Sequence, residues 1–235
     1  LHPLQTQAVT YLIQRAEALM GFFLLLTLYS LHRAATSPQP RPWKLLTFGA
    51  CLLGMASKPV MAVAPVLALL YDRTFLAPSW KTVLAQRGKL HLALFLTWIP
   101  LGLFLFLGQE EFNQSAGFSL PTLSPLQYAL AQPGILLHYL RLTLWPHPLI
   151  LDYAWPLPTS WIQILPPLLT VSLVLLASLL LTRRAPKAAF LPLSFFLLLA
   201  PSSSFIPLAD LIFEHRMYLP LVPLLTGLTL AAARL

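Results

Sequence analysis

Long apolar runs recur along this chain, and the short segments between them hold most of its charges. A helix needs about 20 mostly apolar residues to cross the hydrocarbon core of a bilayer. Only 9% of the 235 residues are charged, whereas a soluble domain carries roughly 25%. Because so few charges cannot cover a water-facing surface, the sequence predicts an all-α, polytopic transmembrane protein. It excludes an ordinary soluble enzyme and a disordered tail.

We predict about seven spanning helices and one further helix that lies in the interface or re-enters the membrane. The spans fall at residues 9–31, 43–57, 60–76, 90–107, 161–182, 188–200 and 217–233. The further helix, residues 126–145, is interrupted by Pro133-Gly134 and belongs to an outer loop, residues 108–160. All these segments form one integral membrane domain over residues 1–235.

The distribution of basic residues orients the spans, because Lys and Arg concentrate in cytoplasmic loops. This rule places eleven of the 15 basic residues inside, with Asp72 as the only acid there, and puts the other six acids outside. A nucleic-acid partner would need the +8 net charge on one solvated face, and here the basic residues are scattered. We therefore expect no nucleic-acid partner and a site that faces the exoplasmic side.

Polar residues at the outer ends of apolar helices are the candidates for function. Arg15 and Glu17 lie early in the first span, two positions apart, so they point to different faces and do not pair. Arg15 is able to bind a phosphate with two hydrogen bonds, or it extends to the membrane surface while Glu17 bonds to a neighbouring helix. Lys58, in the turn between two short spans, neutralises a lipid phosphate or is an interfacial lysine.

The outer loop offers weaker candidates for a site. His138 and Arg141 share one helix face with Trp145, a stripe that lines a cavity or simply faces water. The outer histidines lack paired ligand spacing, and the single Cys51 excludes a multi-cysteine site, so we expect no metal. Residues 113–115, Asn-Gln-Ser, match a glycosylation sequon.

The densest group of ionisable residues, Glu214-His215-Arg216, opens the last apolar run. If this segment is helical, Asp210, Glu214 and Tyr218 lie on one face and Arg216 points elsewhere. Three consecutive ionisable groups at a bilayer edge are costly, which favours a functional role over a structural one. The neighbouring serines, 202–204, are interpreted as local backbone caps rather than nucleophiles.

Several of these segments resemble the transmembrane and tetratricopeptide-repeat O-mannosyltransferases, which belong to the GT-C glycosyltransferases. The similar blocks span nearly the whole chain, and bacterial relatives are the most alike. The blocks are His2-Pro3 with Thr6, Ala8-Val9 and Arg15-Ala16-Glu17; Ser57-Lys58; Tyr71-Asp72; Pro146 with Leu149 and Asp152; and Glu214 with Tyr218-Leu219-Pro220.

The resemblance implies a GT-C-like fold and an enzyme that uses a polyprenyl- or dolichyl-phosphate sugar as donor substrate and no cofactor. Mannose or a similar hexose would pass to Ser or Thr hydroxyls of an exported protein. The enzyme would lie in a bacterial inner membrane with its site facing the periplasm, or in the endoplasmic reticulum membrane with its site facing the lumen.

Residue roles also follow from the resemblance. It implies that Arg15, Lys58, His215 and Arg216 bind the donor phosphate. Glu17, Asp152 and Glu214 would orient these cations, and Tyr218 would hydrogen-bond the phosphate or the sugar. The acidic catalytic base is expected upstream of Leu1 and the tetratricopeptide repeats after Leu235, so this fragment alone is expected to be inactive. The alternatives are a lipid-linked glycan ligase, a transporter or flippase of lipid-linked sugars, and a purely structural membrane anchor.

Overall fold

The computed structural model describes residues 2–108, 116–117 and 123–233, and the regular structure within them is helical, with one isolated bridge between Ala116 and Leu208. The predicted sequon at 113–115 lies outside the described residues, as does much of the loop that precedes residue 123. The α-helices, in chain order, are α1 Thr6–Thr10, α2 Arg15–Thr36, α3 Pro40–Ser57, α4 Ala64–Tyr71, α5 Trp80–Leu96, α6 Trp98–Leu107, α7 Pro125–Leu144, α8 Trp161–Leu181, α9 Pro186–Leu199 and α10 Leu221–Ala232.

The chain divides into two compact units. Unit I is Arg15–Leu107, and unit II is Leu1–Gln14 together with Gly108–Leu235. In unit I, α2 packs along α3, and α4 lies against both α2 and α5. In unit II, α7 packs against α8, and α9 lies between α8 and α10.

Among the described residues, four helical segments are long and apolar enough to cross a membrane: Arg15–Thr36, Pro59–Leu76, Trp80–Leu107 and Trp161–Leu181. Two shorter apolar helices, Pro186–Leu199 and Leu221–Ala232, coincide with predicted short spans. The prediction of a helical protein is thus confirmed, and these helices are consistent with the predicted membrane protein. The count of about seven spans and the orientation of the helices remain predictions.

Two helices begin later than the sequence predicted. The first long helix starts at Arg15 rather than at residue 9, because α1 ends at Thr10 and Tyr11 adopts an extended conformation. The last helix starts at Leu221 rather than at residue 217, because Glu214–Met217 forms a 3-10 turn. The second offset places the candidate Tyr218 outside the last helix, whereas the candidates Arg15 and Glu17 remain within α2.

The predicted interruption at Pro133-Gly134 is wrong, since α7 runs without a break from Pro125 to Leu144. A proline inside a helix costs about 3 kcal/mol or more. Ile135, Tyr139 and Leu142 of the same helix are completely buried in the core of unit II, and each such side chain contributes about 1.5–3 kcal/mol. Tertiary burial therefore outweighs the local penalty.

The core of unit II surrounds the 3-10 turn Glu214–Met217. Met217 is fully buried together with Tyr139 of α7, Phe195 and Leu199 of α9, and Leu221 of α10. Because Met217 is anchored in this cluster, the polar residues that precede it are held at a defined place on the edge of the core.

A close approach between α3 and the following turn shapes the segment that carries Lys58. A Cβ atom on Gly54 would lie 2.6–2.9 Å from three atoms of the Met61 side chain, and Met61 is buried. The Gly54 carbonyl also accepts a hydrogen bond from the Lys58 backbone N–H at 3.1 Å. The absence of a side chain at Gly54 therefore lets the chain turn back directly after α3.

We expect Gly54→Ala to lower stability by about 1 kcal/mol, because overpacking costs about 1–3 kcal/mol and the gain in helix propensity is about 1 kcal/mol. Thermal unfolding of the full-length protein in detergent measures the change. Gly49→Ala in the same helix is the matched control, since nothing lies within 4 Å of a Cβ there, and we expect it to be neutral or stabilising. Equal stability of the two variants would contradict the packing argument.

Candidate functional site

The Glu214 carboxylate is buried in unit II, with 2% of the residue exposed. Its Oε1 atom accepts hydrogen bonds from the Ile150 backbone N–H and from the Tyr153 hydroxyl, both at 2.7 Å. Because the turn is 3-10 and Asp210 lies outside any helix, the expected helical face of Asp210, Glu214 and Tyr218 is wrong. Through these two hydrogen bonds, Glu214 instead holds in place the segment that follows α7.

The segment fastened by Glu214 has its own local structure. Burial raises the pKa of Tyr153, and the hydrogen bond to Glu214 and the negative charge of this residue raise it further, so the phenol stays protonated as a donor. Asp152 is exposed, and its Oδ1 accepts from the Ala154 N–H at 3.3 Å. Ala154 has a positive φ of 39°, so the Asp152 carboxylate supports a tight local turn rather than a cation.

Arg216 is half-buried on the same turn. Its guanidinium donates to the carbonyl oxygens of Asp210 at 2.7 Å and Leu211 at 3.0 Å, and it lies 5.7 Å from the centre of the Phe213 ring. Within the described part of the chain it forms no ion pair with a carboxylate. Two carbonyls thus hold a cation that no acid among the described residues neutralises.

Tyr139 of α7 lies near both charges of the turn. Its hydroxyl donates to the Phe213 carbonyl at 2.8 Å. Burial raises the pKa of Tyr139 to about 12; the positive charge of Arg216 acts against this rise and the negative charge of Glu214 adds to it. The two opposite charges therefore stand close to one buried hydroxyl without an ion pair between them.

His215 and Tyr218 connect the turn to the N-terminal segment of unit II. His215 is buried and stacks on Phe213, with ring centres 4.9 Å apart, and its backbone N–H donates to Gln7 at 3.2 Å. The Tyr218 carbonyl accepts from the Gln5 side chain at 3.2 Å. The sequence did not single out either glutamine, because neither stands near the motif along the chain.

The remaining predicted cations and their acid lie in unit I. Lys58 forms an ion pair with Glu17, whose side chain is buried. Arg15 is exposed at the start of α2. The structure therefore brings Glu17 and Lys58 together in one unit, and Glu214, His215, Arg216 and Tyr218 together in the other.

Unit I also contains a buried charge cluster that the sequence did not indicate. Arg87 donates two hydrogen bonds of 2.7 Å to the two carboxylate oxygens of Asp72. His91 Nε2 lies 2.7 Å from the same carboxylate, and each of the three residues is at most 6% exposed. The i, i+4 spacing of Arg87 and His91 on α5 was the available signal.

Fold and site together define a helical protein with helices long and apolar enough to cross a membrane, in which a half-buried cation and a buried carboxylate share one turn of unit II. No group of three or more His, Cys, Asp or Glu residues suited to a metal occurs in the part of the chain that the structure describes. No family model, curated protein or solved structure matches this chain.

Proposed function

We propose that this chain forms the donor-binding part of a membrane glycosyltransferase of the GT-C type. The enzyme transfers mannose or a similar hexose from a polyprenyl- or dolichyl-phosphate sugar to Ser or Thr hydroxyls of exported proteins. The observation that carries the proposal is Arg216, a half-buried cation held by two carbonyls with no carboxylate partner among the described residues. Such a cation suits the phosphate of a lipid-linked sugar.

The proposed transfer reaction requires a positive charge near the phosphate leaving group. The acceptor hydroxyl oxygen attacks the anomeric carbon, the bond from that carbon to the phosphate oxygen breaks, and the lipid phosphate leaves with an additional negative charge. Arg216 stabilises that charge as it develops. The proton of the hydroxyl passes to a base, for which the family resemblance implies an acid upstream of Leu1.

The other candidates support this arrangement in different ways. Glu214 and Tyr153 hold the loop beside the turn, and His215 and Tyr218 tie the turn to the N-terminal segment. For Lys58 with its partner Glu17, and for the exposed Arg15, all in unit I, phosphate binding remains what the family resemblance implies, considered separately from the turn in unit II. Positive-inside counting predicts that all of them lie on the exoplasmic side, where such lipid-linked donors would be bound.

The test uses the full-length protein in membranes with radiolabelled polyprenyl-phosphate-mannose and follows label into protein. We expect Arg216→Ala to reduce transfer by about 100-fold, as does loss of a group that stabilises a developing negative charge. Arg141→Ala is the matched control, because Arg141 is an exposed arginine of unit II whose only described side-chain contact is the His147 carbonyl at 3.2 Å. Wild-type transfer by Arg216→Ala at normal protein level would contradict the proposed role.

One observation favours a second candidate, a transporter or flippase of lipid-linked sugars. Asp72, Arg87 and His91 are buried in two segments that are able to span the membrane, and ionisable groups in such places mark ion or substrate pathways. If wild-type protein binds the mannosyl lipid but transfers no label to protein, and moves the lipid across vesicle membranes, this candidate replaces the transferase.

A further inference from the structure

Gln132 of α7 is a buried residue whose polar atoms lack partners. Only 3% of the residue is exposed, and neither its carbonyl oxygen nor its amide nitrogen makes a hydrogen bond in the described part of the chain. Buried side-chain polar groups nearly always have partners, and one that lacks them lowers stability. A carboxamide whose oxygen and nitrogen both lack partners therefore either binds a ligand or water, or lowers the stability of the fold.

The position of Gln132 links it to the proposed donor site. It lies one helical turn after Tyr128, on the same face of α7. The Tyr128 hydroxyl donates to the Ser202 carbonyl at 2.5 Å, and Arg216 lies near enough to Tyr128 to oppose the increase that burial causes in its pKa. Gln132 is thus one turn from the tyrosine that borders Arg216.

A second unsatisfied group follows in the chain directly after the residue whose carbonyl Tyr128 contacts. The Ser203 hydroxyl is enclosed and has no hydrogen-bond partner among the described residues, and Ser203 directly follows the residue that Tyr128 contacts. The carboxamide thus belongs to a residue one turn from Tyr128, the hydroxyl to the residue after the one whose carbonyl Tyr128 contacts, and the guanidinium to the arginine that acts on the Tyr128 pKa. The first two have unused hydrogen-bonding capacity, and the third has no acidic partner in the described chain.

We propose that the Gln132 carboxamide, together with the Ser203 hydroxyl, binds hydroxyl groups of the donor sugar while Arg216 binds its phosphate. This inference rests on the proposed function. A carboxamide offers one acceptor and two donors side by side, which suits two neighbouring sugar hydroxyls, one donating and one accepting. A phosphate offers acceptors only and would leave the Gln132 oxygen unsatisfied. Since the amide is enclosed, entry of the sugar requires a local opening between α7 and the turn that follows α9.

The two roles of Gln132 make opposite predictions for stability. If the side chain serves the fold, an apolar replacement lowers the melting temperature. If the side chain serves to bind a ligand and has no partner without it, Gln132→Met removes an unsatisfied polar group and raises the melting temperature by about 2–4 °C. The matched control is Leu136→Met, one turn further along the same helix, which is buried and loses no polar group.

The experiment measures binding of two lipids to the full-length protein in detergent: polyprenyl-phosphate-mannose and polyprenyl phosphate without sugar. We expect Gln132→Met to bind the mannosyl lipid about 10- to 50-fold more weakly, the effect of losing two hydrogen bonds, and to bind the sugar-free lipid as wild type does. Ser203→Ala should weaken binding of the mannosyl lipid by a few fold and leave binding of the sugar-free lipid unchanged. This variant tests the site independently if Gln132→Met does not fold.

Three outcomes would overturn the inference. Unchanged binding of the mannosyl lipid by both variants would show that the two side chains do not contact the sugar. Equal weakening for both lipids, with a lower melting temperature, would assign Gln132 to the fold. Both of these results leave the transferase proposal standing. If wild-type protein binds neither lipid, the proposed function fails, and the sugar site fails with it.

Discussion

Asp72→Ala is expected to lower the stability of the protein by about 3–5 kcal/mol, which is the usual cost of removing one partner from a buried ion pair. Asp72 is fully buried and accepts two hydrogen bonds from the Arg87 guanidinium, with His91 at the same carboxylate. Without Asp72, a buried guanidinium remains with no anion. Thermal unfolding of the full-length protein in detergent should show a melting temperature lower by about 10 °C.

The control variants separate the buried pair from general effects of charge. Lys89 is an exposed cation of α5, the helix that carries Arg87, and it makes no described contact. We expect Lys89→Ala to change the stability by less than about 0.5 kcal/mol. The double variant Asp72→Leu with Arg87→Met replaces both charges by apolar groups and should recover much of the loss. If Asp72→Ala and Lys89→Ala have the same melting temperature, the ion pair between Asp72 and Arg87 contributes nothing to stability.

The same cluster explains why the sequence misplaced the start of one helix. The apolar pattern predicted a span over residues 90–107, whereas the helical segment runs over Trp80–Leu107. Lys81, Arg87 and Lys89 made the first ten residues look like a cytoplasmic loop. Arg87 is nevertheless buried, because Asp72 neutralises it, and a hydropathy pattern cannot reveal a partner 15 residues away. By contrast, the uniformly apolar span predicted over 161–182 agrees with α8 within one residue.

For the candidate site too, local sequence identified the residues but not the contacts they make with residues distant in the chain. The sequence identified Glu17, Lys58, Glu214 and Arg216 because ionisable residues beside apolar runs are conspicuous. Their partners were not predictable, since Glu17 and Lys58 are 41 residues apart and Glu214 and Ile150 are 64 apart. Gln132 carries no charge and belongs to no motif, so only its burial without hydrogen-bond partners distinguishes it.

Glu214→Ala is expected to release the loop that contains Ile150 and Tyr153 and to lower the stability of unit II by about 3 kcal/mol. The variant leaves the Ile150 N–H and the Tyr153 hydroxyl without their acceptor, and each such loss costs about 1–3 kcal/mol. Hydrogen exchange followed by mass spectrometry on the peptide around Ile150 should show protection reduced at least tenfold. If the proposed function is correct, transfer should fall with it, because the loop is hydrogen-bonded to the turn that carries Arg216.

Two further variants distinguish the geometry of the Glu214 site from its charge. Glu214→Gln retains an oxygen that can accept from the Ile150 N–H, so much of the protection should return. Tyr153→Phe removes one hydrogen bond and should cost only about 1 kcal/mol. If Glu214→Gln restores protection but not transfer, the negative charge acts on the bound donor or on Arg216. If it restores both, Glu214 serves only to position the loop. Full protection in Glu214→Ala would show that the core around Met217 holds this segment without the carboxylate.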